Sequence, residues 1–326
     1  MEMEIRYNPL ASEWVAYSPH RQQRTFLPES QNCPFCASSR SSEGDIPVNE
    51  FYIAVVENRF PSFVLNAETP QRPADVPDYL NRPAYGKCEV VVYSGRHEDE
   101  LCDLEIPHIA DILRVFAHRT LEIYKHPGIK YVFIFENRGK QVGATIEHPH
   151  AQIYAYPFVP HTMTHEIKAF KLSAQKSGVC FGCKQIEVEC SKRERLIIDA
   201  NGFAPAFVPY YARWPIEVHI YPRQHVGMLY ELDEPGFYEL ANSLKSLFSA
   251  LDRLYSFRMP YVMVIHQAPA GRRKDYSYFH LHLEIYVPYR TSDKLKYLAG
   301  SELGAGVFLN DRMPEDTAKM LASVIL

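Results

Sequence analysis

His148-Pro149-His150-Ala151-Gln152-Ile153-Tyr154 is the stretch on which the reading of this chain turns. Side chains of an extended strand alternate between two faces. His148, His150, Gln152 and Tyr154 therefore share one face, and Ala151 and Ile153 take the other. Two imidazoles and a carboxamide then point into one cavity. Near neutral pH an imidazole serves as nucleophile, general base or metal ligand. Taken alone, the motif also fits a histidine-rich edge strand blunted by Pro149, so its surroundings decide. Upstream lie an apolar run from Tyr131 to Phe135, the pair Glu136-Asn137, and a glycine-bearing loop from Arg138 to Gly143.

The motif has a second copy, His280-Leu281-His282-Leu283-Glu284-Ile285-Tyr286, and so do the blocks before it. Cys33-Pro34-Phe35-Cys36 is matched by Cys180-Phe181-Gly182-Cys183. Glu57-Asn58-Arg59-Phe60-Pro61 is matched by the region from Ala200 to Phe207. The strand Cys88 to Tyr93 leads to His97, as Ile216 to Tyr221 leads to His225. A helix follows each. The first has Pro107 near its start and Ile109, Ile112, Leu113 and Phe116 on one face. The second has Asp233 as cap and Phe237, Leu240, Leu244, Leu247 and Leu251 on one face. Short alternating strands linked by helices and turns predict an α+β fold. It consists of two duplicated halves, residues 1–160 and 161–326, each a mostly antiparallel sheet with flanking helices. The proline-containing segment 67–82 reads as a loop.

A chain of 326 residues with 46% hydrophobic and 23% charged content has the composition of a soluble globular protein. A net charge of -4 without a basic run argues against nucleic acid as a partner. The acidic start Met1-Glu2-Met3-Glu4 has no apolar core of a signal peptide, and no run is long enough to span a membrane. A cytoplasmic location is expected. Of seven cysteines, four form two C-x-x-C pairs, which favours metal ligation over a disulfide framework. The duplication proposes the remaining ligands. Two Cys2His2 zinc sites are expected: Cys33, Cys36, His97 and His148; and Cys180, Cys183, His225 and His280. With every position filled by protein, such zinc is structural. It would hold His148 and leave His150, two residues on, free for chemistry.

Four blocks together resemble the galactose-1-phosphate uridylyltransferases, the transferase branch of the histidine-triad superfamily. They are His148-Pro149-His150-Ala151-Gln152, Glu136-Asn137-Arg138-Gly139, Ser18-Pro19-His20-Arg21-Gln22-Gln23-Arg24 and Glu57-Asn58-Arg59-Phe60-Pro61. The resemblance covers nearly the whole chain and implies two histidine-triad-like halves. It implies ping-pong transfer, in which His150 attacks the α-phosphorus of UDP-glucose, forms a uridylyl-histidine and passes the uridylyl group to a hexose 1-phosphate. Gln152 and Thr145 would contact phosphoryl oxygens. Asn58, Arg59, Phe60 and Asn137 would hold the nucleotide. Lys296 and Glu302 match sugar-side positions, whereas Phe308 stands where relatives carry a glutamine. Arg21 and Arg24 match arginines that reach the site from the neighbouring subunit, so a homodimer with shared active sites is expected. Many relatives build the second metal site from a glutamate and three histidines, here Glu166, His266, His280 and His282. That set competes with the cysteine set for His280, and thiolates are the stronger zinc ligands. Two other functions stay open: a nucleotide-sugar phosphorylase such as an ADP-glucose phosphorylase, and a non-catalytic nucleotide-binding histidine-triad protein. Gln152 in the third slot, where hydrolytic relatives more often carry a histidine, favours transfer. Glu284 in that slot marks the second half as structural or metal-binding.

Overall fold

Strands and helices follow the two periodicities of the sequence. In a computed structural model, residues 3–24, 26–28, 32–36, 45–48, 50–71 and 79–325 are described. The N-terminal half gives β1 (Glu4–Asn8), β2 (Glu13–Tyr17), β3 (Ala54–Glu57), β4 (Asn81–Pro83), β5 (Lys87–Val92), α1 (Ile106–Ile123), β6 (Tyr131–Arg138) and β7 (His150–Tyr156). Then come α2 (His161–Ser177), α3 (Phe181–Lys192), β8 (Leu196–Ile198), β9 (Ala206–Phe207), β10 (Ile216–Ile220), α4 (Glu234–Leu254), β11 (Tyr261–His266) and β12 (His282–Val287). The chain closes with β13 (Tyr289–Thr291), β14 (Lys294–Leu295) and α5 (Pro314–Ala322). Strands β1, β2 and β4 form a small sheet of their own. Of the segment expected to be a loop, residues 72–78 lie outside the described residues, and Asn81 and Arg82 belong to β4.

Each half contributes antiparallel strands, but the two sets fuse into one nine-stranded sheet. Its order is β3-β5-β7-β6-β11-β12-β10-β9-β8. The seam is the antiparallel pair β6–β11, from Tyr261 opposite Arg138 to Ile265 opposite Ile134. The physical reason is edge satisfaction. Separate sheets would leave two long, apolar edges with unpaired N–H and C=O groups, and pairing them satisfies both.

Helices α1 and α4 cover one face of this sheet. Ile109, Ile112, Leu113 and Phe116 of α1 are buried, as are Phe237, Leu240, Leu244, Leu247 and Leu251 of α4. Each contributes about 2 kcal/mol by leaving water. Asp233 caps α4, its Oδ1 accepting from the Gly236 N–H at 2.9 Å. Ala151, Ile153 and Ala155 of β7 point into this core, so His150, Gln152 and Tyr154 are turned to the opposite face. Among the described residues, no helix is long and apolar enough to cross a membrane.

A carboxyl group is buried at the seam. The Glu136 carboxylate on β6 is 2% exposed and accepts from Tyr93 OH at 2.5 Å and Tyr261 OH at 2.7 Å. Burial pushes its pKa up to about 7, although both tyrosines oppose the rise. A carboxyl whose folded pKa lies above its unfolded value stabilises the fold while it is protonated. That contribution is complete below the unfolded pKa and is lost as pH rises through about 7. Glu136→Gln should therefore gain stability relative to the parent as pH rises from about 5 to about 7.5. Denaturant midpoints at the two pH values measure this, and a difference that does not change with pH would contradict it.

Candidate active site and metal centres

One cavity gathers most of the residues singled out from the sequence. Its wall includes Arg21, Arg24, Asn58, Arg59, Phe60, Asn137, Thr145, His150 and Gln152. His150 and Gln152 come from β7, between β5 and β6. Gln152 lies opposite Val90 on one side and Phe135 on the other. Asn137 is near the end of β6. Thr145 follows Gly143, whose φ of 85° lets the backbone turn into the wall. Asn58 fixes the local turn by accepting from the Phe60 N–H at 2.9 Å. Arg21 sits on a short 3-10 turn, residues 19–23, and its Nη1 donates to Phe60 O, Ser62 Oγ and Tyr154 OH at 3.0, 3.2 and 2.8 Å.

His150 is held in one orientation. Its Nδ1 lies 2.7 Å from the His148 carbonyl oxygen and must donate there, since that oxygen only accepts. The lone pair is then on Nε2. Burial lowers the His150 pKa, with the His148 carbonyl opposing, so the neutral imidazole is favoured. His148 is fully buried and burial lowers it further, to about 4.

The cysteines and histidines gather as two matching groups. Cys36 Sγ is 3.3 Å from His97 Nδ1 and 3.5 Å from His148 Nδ1, and Cys33 Sγ is 3.8 Å from His148 Nδ1. In the second group Cys183 Sγ is 3.2 Å from His225 Nδ1 and 3.5 Å from His280 Nδ1, and Cys180 Sγ is 3.8 Å from His280 Nδ1. A tetrahedral zinc with ordinary Zn–S and Zn–N lengths gives S···N edges of about 3.6 Å, so both donor sets fit such an ion. The outer nitrogens are tied as metal-ligand histidines require. His148 Nε2 donates to Ser94 O at 2.8 Å, His225 Nε2 to Ser277 O at 2.9 Å and His280 Nε2 to Pro222 O at 3.0 Å.

The expected competition for His280 does not arise. His280 joins the cysteines, while Glu166, His266 and His282 gather with Glu284 in a separate buried cluster. Glu166 Oε2 is 2.8 Å from His266 Nδ1, and its Oε1 is 3.1 Å from His282 Nε2. The reason is where β12 begins, since alternation alone would put His280 on the face of His282 and Glu284. His282 and Glu284 face one side of β12, and His280 precedes the strand and is drawn to the cysteines. Carboxylates with imidazoles suit a harder divalent ion than thiolates do.

The cavity of the single chain receives some of the expected residues and not others. Arg21 and Arg24 were expected from a partner subunit, yet both line the cavity of their own chain. The Arg21 hydrogen bonds to Phe60 O and Tyr154 OH anchor that segment in cis. Lys296 and Glu302 were expected at the sugar, yet neither lines this cavity. Lys296 Nζ pairs with Glu302 Oε1 at 2.8 Å and is buried. Sequence reasoning also passed over Phe35 and Asp45, which do line the cavity. Phe35 stands between two cysteines that drew all the attention, and Asp45 has no motif around it.

The fold and site define a duplicated, antiparallel α+β protein with a polar, arginine-lined cavity around a half-buried imidazole. The chain belongs to the galactose-1-phosphate uridyl transferase family. The family's N-terminal domain matches residues 1–160 and its C-terminal domain matches residues 166–325. A galactose-1-phosphate uridylyltransferase of Thermotoga maritima is 37% identical over 319 residues, 98% of each chain. An ADP-glucose phosphorylase of Arabidopsis thaliana is 28% identical over 340 residues, 99% of this chain and 93% of the relative. A solved uridylyltransferase structure superposes with a TM-score of 0.87 at 37% identity, covering 99% of this chain and 98% of its own.

Cys33→Ser and Cys180→Ser should each lower the metal content by about one equivalent per chain and lower the thermal midpoint, because such ions contribute folding free energy directly. Elemental analysis of the purified variants measures this. Unchanged metal in Cys180→Ser would assign the second ion to Glu166, His266, His282 and Glu284 instead.

Proposed function

We propose that this chain is a UDP-glucose:hexose-1-phosphate (galactose-1-phosphate) uridylyltransferase working through a covalent uridylyl group on His150. The observation that carries this reading is the convergence of His150, Gln152, Asn137, Thr145, Asn58 and two arginines on one cavity, with the His150 lone pair confined to Nε2. In the first step Nε2 forms a bond to the α-phosphorus as the bond to the bridging oxygen breaks. Glucose 1-phosphate leaves with the electron pair. The imidazole becomes cationic and keeps its Nδ1–H on the His148 carbonyl, which stabilises that charge. In the second step an oxygen of the hexose 1-phosphate attacks phosphorus from the other side and Nε2 leaves. A Gln152 N–H aimed at a non-bridging oxygen, and the arginine forks, supply stabilisation where charge develops. Zinc at Cys33, Cys36, His97 and His148, and at Cys180, Cys183, His225 and His280, would brace the strands without touching substrate.

The units of duplication are 1–160, which keeps the nucleophile, and 161–326. The seven cysteines form no disulfide, which fits a reducing cytoplasm. A homodimer with shared sites remains the proposed assembly, but the shared element changes. Lys296 and Glu302 lie outside their own chain's cavity, and Tyr297, Leu303, Val307 and Leu309 beside them are exposed. Apolar groups exposed on one segment suit burial by a second copy, which would carry the Lys296–Glu302 pair to the sugar side of the partner's site. The second reading, a nucleotide-sugar phosphorylase, is favoured by the likeness to the Arabidopsis thaliana ADP-glucose phosphorylase.

Incubation with α-labelled UDP-glucose and, separately, ADP-glucose without acceptor distinguishes the readings. Acid-labile label from UDP-glucose on the parent chain and none on His150→Ala is expected. Label from ADP-glucose alone would select the phosphorylase, and label on His150→Ala would refute the nucleophile. For the dimer, mixing Glu302→Ala with His150→Ala chains should restore transfer, because one site of each mixed dimer is then intact. No recovery despite demonstrated subunit exchange would rule out sharing through Glu302.

A further inference from the structure

The first C-x-x-C turn carries an aromatic ring onto the reacting imidazole. Phe35 stands between Cys33 and Cys36, is 3% exposed and lines the cavity. Its ring centroid lies 5.1 Å from that of His150 at an interplanar angle of 63°, and 6.3 Å from that of His148 at 83°. Both are edge contacts of the kind aromatic pairs prefer. Behind it, Ile46, Val90 and Val92 form the small apolar cluster that holds the ring in place. The single hydrogen bond from His150 Nδ1 to the His148 carbonyl fixes which nitrogen carries the proton, but one bond leaves the imidazole free to tilt about it. Phe35 closes that remaining freedom from the side.

The duplication supplies an internal comparison. The residue matching Phe35 in the second C-x-x-C turn is Gly182, where a Cβ would come within 2.6 Å of the His280 Cβ. The imidazole matching His150 is His282. It is packed by Tyr221, nearly parallel at 4.7 Å, and by Phe170 of α2 at 5.9 Å. Only the half that lines the nucleotide cavity places a ring from its cysteine turn against the second histidine of H-x-H.

We propose that Phe35 is a positioning residue for the reaction: held by the cysteine turn, it keeps the His150 Nε2 aimed at the α-phosphorus, so that the metal-binding turn reaches the chemistry through one ring. This rests on His150 being the nucleophile. Phe35 also lines the cavity, so the role predicts a slowing of the covalent step beyond any change in nucleotide affinity. In-line attack is sensitive to such tilting, because a misplacement of roughly 1 Å costs on the order of 100-fold.

The test compares Phe35→Ala and Phe35→Leu with the parent chain. Metal content, the Kd for UDP and the single-turnover rate of protein labelling from α-labelled UDP-glucose are measured. Phe35→Ala should keep its metal and, at saturating UDP-glucose, label roughly 100-fold more slowly. Phe35→Leu, which keeps apolar bulk, should recover about tenfold of that loss. Parent-like labelling by Phe35→Ala overturns the proposal, and so does a fall in UDP affinity that accounts for the whole loss. If Phe35→Ala sheds its metal, the decision passes to Phe35→Leu. A parent-like rate there, or metal loss in both variants, overturns it. Absence of label on the parent chain overturns the uridylyl-histidine reading itself, an outcome distinct from parent and variant labelling equally.

Discussion

His148 is the residue on which the N-terminal site depends, because it is engaged at three points at once. Its Nδ1 faces Cys33 and Cys36, its Nε2 donates to the Ser94 carbonyl, and its own carbonyl accepts from His150 Nδ1. The first two points fix the ring, and through the ring the backbone that enters β7. The third passes this rigidity to the neighbouring imidazole as a choice of tautomer. A metal bound by that set would act on the reaction along this mechanical route and through the ring of Phe35. The cost of burying two imidazoles falls on their charged forms, which is why both are pushed towards neutrality.

The second half keeps this scaffold and changes what it presents. His280 donates through Nε2 to Pro222 O, and its carbonyl accepts from His282 Nδ1 at 2.9 Å, as His148 does for His150. The register then locates the divergence. Gln152 opposite Val90 becomes Glu284 opposite His219, and His282 lies opposite His266. A neutral amide that can donate to a phosphate is thus replaced by a carboxylate that repels one. Glu166 closes the cluster with a second carboxylate, a donor set of the kind that suits a divalent cation.

Much of this was legible in the sequence because it is local or repeated. Alternation from His150 to Tyr154 follows the observed faces, since strand periodicity depends on nothing distant, whereas His148 precedes β7 and turns to the cysteines instead of the cavity. The two C-x-x-C pairs and their histidines could be grouped because the duplication compared like with like. What the sequence does not show is where a segment travels. The β6–β11 seam depends on two edges meeting, and neither strand names its partner. Lys296 and Glu302 bind each other, which a motif match cannot show. Arg21 is held in its own chain by Tyr154 OH and the Phe60 carbonyl, groups far away in sequence. Glu284 was assigned to the second half's structure, but its partnership with Glu166 required the tertiary fold.

The cavity's charge inventory bears on which acceptor suits it. Among the residues lining it, the acidic group is Asp45, 4.0 Å from Arg59, and the remaining charged groups are arginines. Hydrolysis of a uridylyl-histidine would need a base placed to take a proton from water. A phosphate monoester oxygen is already anionic and needs no such base. Arginines that line the cavity and are proposed to hold the nucleotide's phosphates would also lower the cost of bringing a second anion close. Transfer to a phosphate-bearing acceptor is therefore favoured over transfer to water by the same groups that bind the donor. That preference applies equally to a hexose 1-phosphate and to inorganic phosphate, so discrimination between them must come from the sugar side, where Lys296 and Glu302 of a second copy would act.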